Sequence, residues 1–211
     1  MEFAKRPGGG SVATITRPDG VRLRLTSYDR KYVVPHDLAH FATEQQLRMA
    51  DGLWGSIAAG AVFDSVEVLS GTRAGVRSDA VRQRNAAGLA LAEVLVGVVH
   101  GAVNGAVNGA VNRAVNRAVN GGVDGTVPAA DRAVVAQLAS AWGSVRQGPC
   151  PYPEAHRLAA VRELRSLGER FAALGPDEVL ALRWPGGPEA RGGRSGTGGR
   201  GVRRGHRPAP S

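Results

Sequence analysis

The sequence has few cysteines, lysines and aromatic residues. The scarcity of cysteine and of aromatic residues argues against particular classes of protein. The single cysteine, Cys150, rules out an internal disulfide framework and predicts a reducing, cytoplasmic location. Aromatic residues make up only 5% of the 211 residues, so Ala, Val and Leu must build the core, which favours helix packing over a β-sandwich. Lysine occurs only at positions 5 and 31 while arginine is abundant, as in proteins from GC-rich genomes such as those of actinobacteria.

Long apolar runs and several well-known catalytic motifs are also missing. The first ten residues contain no apolar segment, so we predict no secretory signal and treat residues 1–10 as a flexible leader. The most apolar stretch, residues 94–112, contains His100 and three asparagines, and we therefore predict neither a membrane span nor a membrane partner. Phosphate-binding loops, dinucleotide fingerprints, Cys-x-x-Cys pairs and Gly-x-Ser-x-Gly elbows are not found.

The net charge of +9 is concentrated at one end of the chain. Residues 186–211 hold six arginines, one acid and nine glycines with almost no apolar side chain. Such a segment cannot offset the entropy cost of ordering, so we predict a disordered tail. Nucleic acid is an expected partner only through this tail, whose arginines could track phosphates without sequence preference.

Alternating polar and apolar residues predict a small antiparallel sheet. Residues 12–16 and 21–26 alternate on either side of Arg17-Pro18-Asp19-Gly20, where a turn-setting proline precedes a glycine able to take positive φ. This pattern predicts a hairpin. Residues 179–184 are short, apolar and bounded by a proline, and we expect them to add a third strand to that hairpin.

Helical spacing of apolar residues dominates the rest of the chain and predicts four to five amphipathic helices. The fold class we expect is α+β, mostly α, with these helices packed on the small sheet in one domain over residues 11–185. The predicted helices cover residues 35–50, 53–66, a long segment from about 78, residues 128–148 and residues 154–175.

A low-complexity repeat interrupts this domain at residues 101–125. The unit Ala-Val-Asn occurs five times between residues 101 and 120, separated by Gly or Arg. A four-residue period gains about 40° per unit on an α-helix, so the valines spiral around the surface instead of sharing one face. We therefore predict a frayed helix extension or a loop whose removal changes stability little.

One helix start carries the residues that could perform chemistry. His36, His40 and Glu44 follow each other at i, i+4 spacing, which places two imidazoles and a carboxylate on one stripe. These donors suit one Zn, Fe or Mn ion, with Asp37 as a base or as a residue that orients the ligands. The helix N-terminus should keep both imidazoles neutral. His100 and His156 could add ligands if their helices pack nearby.

The same segment resembles two protein families. His36-Asp37-x-x-His40 resembles the His-Asp-x-x-His motif of the ubiquinone-biosynthesis decarboxylase family, whose metal site adds a glutamate about a dozen residues after the second histidine. Here that position is Gly52. Together, Val-Pro-His-Asp-Leu-x-His-Phe and Gly-Leu-Trp-Gly, at residues 34–41 and 52–55, resemble segments of a family of small uncharacterised actinobacterial proteins, which implies a shared fold over most of residues 11–185 without implying an activity.

Three functions are compatible with these observations. The first is a non-catalytic accessory or regulatory domain that binds a protein partner, because the helices form a coherent core without a complete catalytic set. The second is a metal-dependent enzyme, hydrolase-like or lyase-like, that uses the His36, His40 and Glu44 stripe. The third is weak nucleic-acid binding through the arginine-rich tail. In the non-catalytic alternative Asp37 only complements the helix dipole and Glu44 is a solvated charge.

Overall fold

The computed structural model describes residues 1–71, 75–117 and 128–185; side chains are described throughout these ranges except at residues 75, 76 and 106–117. The fold is α+β and mostly α, as the sequence predicts. Its elements in chain order are β1 (Glu2–Lys5), β2 (Ser11–Thr16), β3 (Arg22–Ser27), α1 (His36–Gln46), α2 (Leu53–Ala58), β4 (Val66–Ser70), α3 (Gly75–Arg117), α4 (Ala129–Val145), α5 (Glu154–Ala173) and β5 (Val179–Ala181).

The five strands in the described part of the chain form one antiparallel sheet in the order β4-β3-β2-β1-β5. The predicted hairpin is confirmed as β2 and β3, and its turn is closed by Gly20, which has a φ of 82°. Asp19 supports the turn because its carboxylate accepts a hydrogen bond from the Val21 backbone N–H. One face of the sheet is apolar and buried, with Phe3, Ala13, Ile15, Leu23, Leu25 and Leu180 on it.

Three predictions about the sheet and its neighbours are wrong. The flexible leader predicted for residues 1–10 contains β1, which lies between β2 and β5 and pairs with both. The C-terminal strand consequently joins β1 and not the hairpin. The helix predicted over residues 53–66 ends at Ala58, and β4 follows it and pairs with β3. β1 has four residues and β4 has five, and such short segments become strands only by pairing with distant parts of the chain.

Helix α1 lies at the centre of the molecule. It packs against α5 on one side and α3 on another, and every residue from Asp37 to Glu44 is buried. Phe41 contributes to an aromatic cluster in which Phe3 stands edge-on to Trp54, with ring centroids 5.6 Å apart. Since α1 is surrounded by apolar neighbours, each polar side chain that it buries costs free energy unless it finds a partner inside the protein.

Helix α3 packs along α1, α4 and α5. Five of its residues recur at steps of three, four and seven and are all buried: Val81, Gly88, Ala92, Leu95 and Val99. Its segment Arg77–Gly105 is long and apolar enough to cross a bilayer by length and composition. The core helix of a soluble protein meets the same criterion, and here this segment supplies the core residues that cover α1.

The described part of the repeat is a helix extension, one of the two alternatives predicted for it. Helix α3 continues into the repeat as far as Arg117, and Val103 and Asn104 of the first Ala-Val-Asn unit are buried. Removing residues 101–120 would therefore remove core side chains of the first unit, which argues against the expectation that this deletion changes stability little; its effect on stability stays a prediction. Residues 118–127, and the tail at 186–211, lie outside the described residues.

Candidate metal centre

A row of polar side chains runs through the buried part of α1. Asp37, His40, Thr43 and Glu44 are all buried, and His40 and Glu44 are 2% and 0% exposed. Titratable groups are rarely buried so completely unless they are paired. Buried titratable groups cluster at functional sites, so this row is the candidate functional site of the protein.

Glu44 is held by the start of the next helix. One carboxylate oxygen accepts a hydrogen bond from the Leu53 N–H at 2.8 Å, and the other accepts one from the Trp54 N–H at 2.9 Å. Gly52, at the N-cap of α2, has no side chain that could cap the helix, so Glu44 performs this role from a distance. Both oxygens of Glu44 are thus engaged by protein donors.

The two segments of the family resemblance meet at this point. Trp54 also donates its indole N–H to the backbone oxygen of Asp37 at 3.1 Å, in addition to its backbone bond with Glu44. The Gly-Leu-Trp-Gly segment therefore fixes the helix that carries the two histidines. This contact explains why both segments belong to one structural unit, whatever the unit does.

The His40 ring lies between two carboxylates. Its Nδ1 is 2.8 Å from Glu44 Oε1, and its Nε2 is 3.3 Å from Oε1 of Glu93, a residue of α3. Burial disfavours the charged ring, but the hydrogen bonds to Glu44 and Glu93 outweigh burial and raise the pKa of His40 to about 9. The prediction that the helix N-terminus keeps both imidazoles neutral is wrong for His40.

His36 completes the group beside His40. Its Nε2 is 4.0 Å from Glu93 Oε2, and its ring stands edge-on to that of His40 with centroids 4.7 Å apart. Burial and the neighbouring His40 lower the pKa of His36, so this ring is neutral at pH 7. A neutral imidazole is the form that binds a metal.

Together, His36, His40 and Glu93 bring three ligand atoms within 4.8 Å of one another, an arrangement that could hold a metal ion. The sequence predicted His36, His40 and Glu44 as ligands; this cluster contains the two histidines, but its carboxylate is Glu93. Glu44 is not in the cluster, because it lies behind His40 and caps α2. Within the described residues of α3 beyond Asp79, Glu93 is the one acidic residue. The sequence signal that could have identified Glu93 is that it is a lone carboxylate beside the core positions 92, 95 and 96.

Asp37 lies close to this cluster, and one of its carboxylate oxygens lacks a hydrogen-bond partner among the described residues. Its Oδ2 is buried and makes no hydrogen bond, whereas its backbone oxygen accepts the Trp54 indole N–H. Burial raises the pKa of Asp37 to about 6, with His40 lowering it and Glu93 raising it further. Burying a carboxylate oxygen without a hydrogen bond costs free energy of folding, so Asp37 is the residue of the site that destabilises the folded protein.

Neither His100 nor His156, the two histidines that could have added ligands, belongs to the ligand group. The His100 ring stands edge-on to His36 with centroids 5.1 Å apart, but its Nε2 is 2.8 Å from the Val34 backbone oxygen, so it is outside the ligand group. His156, on α5, is also outside this group. His206 lies in the tail, beyond the described residues.

Comparisons of the chain with known protein families, with curated proteins and with solved structures found no match. The two resemblances seen in the sequence therefore stay predictions.

Proposed function

We propose that the protein binds one transition metal ion, Zn in preference to Fe or Mn, through His36, His40 and Glu93, and that it is a metal-dependent enzyme of hydrolytic or lyase type. The observation that supports this proposal most is that both ring nitrogens of His40 contact a carboxylate: Nδ1 contacts the buried Glu44, and Nε2 contacts the exposed Glu93. The proposal keeps the two predicted histidines and replaces Glu44 with Glu93 as the carboxylate ligand.

The spacing of the donor atoms suits such an ion. Ligands about 2.0 to 2.1 Å from a tetrahedral ion lie about 3.3 Å apart. The His40 to Glu93 distance is 3.3 Å, and the His36 to Glu93 distance is 4.0 Å. His36 is 37% exposed and Glu93 63% exposed, so small side-chain rotations can bring both to an ion without moving the backbone.

Glu44 supports the site without touching the ion. Metal-binding histidines usually donate their second N–H to a carboxylate, which fixes the tautomer and makes the ring more basic. Because the pKa of His40 is raised to about 9, an ion would have to displace the Nε2 proton of the charged ring. The proton that remains on Nδ1 is then directed to Glu44, and the Nε2 lone pair lies on the Glu93 side. Because Glu44 is itself held by two backbone N–H groups, this orientation does not depend on a flexible partner.

The exposed side of the cluster favours catalysis over a purely structural metal site. Structural zinc sites are closed by four protein ligands, whereas catalytic sites keep three and leave one position for water. Here three ligands converge, and two of them are open to solvent. A bound Zn would lower the pKa of its water to about 7, and Asp37 is the nearby group we propose as a base or an orienting residue.

Titration with Co(II), followed by competition with Zn, tests the metal site. We expect wild type to bind one equivalent, and we expect His36→Ala to weaken binding by about 100-fold or more because a direct ligand is lost. The matched control is His156→Ala, which removes a partly buried histidine of α5 and should leave the affinity unchanged. Wild type that binds neither ion, or His36→Ala with wild-type affinity, would overturn the proposal.

A protein-partner function receives less support from the structure. Scattered single apolar side chains are normal on a surface, whereas a docking site needs a contiguous patch. The large exposed apolar residues of the described ranges lie one or two to a segment, on the β3–α1 connection and on three other elements: Tyr28, Val33, Val94, Val145 and Val179. Partner binding, and nucleic-acid binding through residues 186–211, therefore stay predictions from the sequence.

A further inference from the structure

Val34, which lies two residues before the first residue of α1, is held through both of its backbone polar groups. The Val34 N–H donates to Asn104 Oδ1 at 3.1 Å, and the Val34 carbonyl is 2.8 Å from His100 Nε2. Because a carbonyl can only accept, His100 must carry its proton on Nε2. Asn104 Nδ2 also donates to the His100 backbone oxygen at 3.1 Å, which joins the two holding residues.

These bonds are buried and link distant parts of the chain. Val34, His100 and Asn104 are each no more than 4% exposed, and the sequence separations across the bonds to Val34 are 66 and 70 residues. Gly168 of α5 lets Val34 approach closely, because a Cβ atom there would lie 2.6 Å from a Val34 methyl group. Val34 is thus fixed from two sides.

The attachment of Val34 determines where His36 stands. Pro35 separates the two residues, its φ is fixed by its ring, and α1 has no side-chain cap at this end. The start of α1 therefore depends on the bonds to Val34 for its position. His100 in addition packs its ring edge-on against His36, with centroids 5.1 Å apart.

The same face of α3 supplies a ligand and both holding residues. At about 100° per residue, positions 93, 100 and 104 lie within about 40° of one another around the helix. Glu93 approaches the two histidines from this face, while His100 and Asn104 bind Val34 from it. One rigid helix thereby sets the distance between the Glu93 ligand and the His36 ligand.

We infer that His100 and Asn104 are positioning residues for the metal ligand His36, and that the first Ala-Val-Asn unit of the repeat is therefore part of the metal centre. This inference rests on the proposed function. It assigns a role to Asn104, which belongs to a repeat that otherwise looks like low-complexity sequence. Neither residue contacts the ion; both act through the backbone of Val34 and, for His100, through the His36 ring.

The test compares Zn affinity and the visible spectrum of the Co(II) protein in wild type, Asn104→Ala, His100→Leu and His100→Gln. We expect Asn104→Ala and His100→Leu to weaken Zn binding by about tenfold or more and to change the Co(II) spectrum, because His36 loses its fixed position. His100→Gln keeps an N–H donor within reach of the Val34 carbonyl and should recover part of the affinity.

Asn85→Ala is the matched control for loss of a buried hydrogen bond on the same helix. Asn85 is buried and donates to Ser56 Oγ at 2.9 Å, away from the metal ligands. It should lower the melting temperature as Asn104→Ala does, yet change Zn affinity by no more than about twofold. A merely structural role for Asn104 would make the two variants alike in both measurements.

The outcomes separate this inference from the proposed function. Wild type that binds no metal overturns both. Wild type that binds metal, with Asn104→Ala at wild-type affinity and spectrum, overturns the positioning role alone. Should His100→Leu fail to fold, as judged by circular dichroism, Asn104→Ala decides, because it shortens a side chain without introducing a larger one.

Discussion

Gly52 lies against the carboxylate of Glu44, so close that a Cβ atom at residue 52 would stand 2.6 Å from Glu44 Oε2. The decarboxylase family that the histidine motif resembles has a metal-binding glutamate at this point of the sequence. In this chain the missing side chain has a different consequence. It leaves room for Glu44, which then caps α2 and binds His40.

Gly52→Ala should destabilise the protein by about 1 to 3 kcal/mol, because the added methyl group displaces a buried carboxylate from its three partners. The effect is steric, since Gly52 has a φ of −77°, which any residue can adopt. Urea unfolding followed by tryptophan fluorescence measures it. The control is Gly97→Ala, where a Cβ meets nothing within 4 Å and stability should rise by up to about 1 kcal/mol. If Gly52→Ala and Gly97→Ala changed the free energy of unfolding equally, this account of Gly52 would be contradicted.

Glu44→Gln should lower the free energy of unfolding by about 2 to 4 kcal/mol, because it removes a buried charge that holds His40 and two backbone N–H groups. It should also weaken Zn binding by about 10- to 100-fold, as loss of a residue that orients a ligand does. Calorimetry on the metal-free protein and a Zn titration give the two values. Glu169→Gln, at an exposed position of α5, should change stability by less than about 0.5 kcal/mol. A Glu44→Gln protein as stable as this control would refute the capping role.

Asp37→Asn should keep the metal while lowering any metal-dependent activity, and it should stabilise the metal-free protein by about 1 to 3 kcal/mol at pH 7. The reason for the gain is that Asp37 Oδ2 is buried without a partner and burial raises the pKa of Asp37 from 3.8 to about 6. Wild type binds this proton more tightly when folded, so its stability falls as pH rises from about 4 to 6.

The difference between the Asp37→Asn variant and wild type should consequently be largest above pH 6 and shrink as the pH falls toward 4. Unfolding curves for both proteins at several pH values measure this. A variant that is less stable than wild type at pH 7 would instead support the simpler role of Asp37 as an acid that complements the helix dipole.

The sequence predicted elements whose signal is local and missed those that depend on distant partners. The hairpin was predicted from the alternation of apolar and polar residues and from the turn at Asp19-Gly20, and α1 was predicted from Pro35 as a helix start. β1 has four residues and becomes a strand only by pairing with β2 and β5. Nothing in so short a segment distinguishes it from a loose leader.

The candidate site shows the same division. The spacing of His36 and His40 is readable along one helix, but the choice between Glu44 and Glu93 depends on how α2 and α3 pack against α1. The position of Gly52 decides it, because the space it leaves lets Glu44 turn toward α2. The burial of Val103 and Asn104 was equally unreadable, since a four-residue repeat gives every unit the same local sequence.

The metal content of the purified protein tests the central claim most directly. Elemental analysis of protein prepared without chelators or affinity-tag histidines should find close to one equivalent of Zn, Fe or Mn in wild type and in the control Glu169→Gln. Glu93→Gln should contain none, and it should remain folded because Glu93 is 63% exposed. Wild type that stays metal-free after incubation with Zn, Fe and Mn, or Glu93→Gln that retains the metal, would contradict the assignment of His36, His40 and Glu93 as a metal centre.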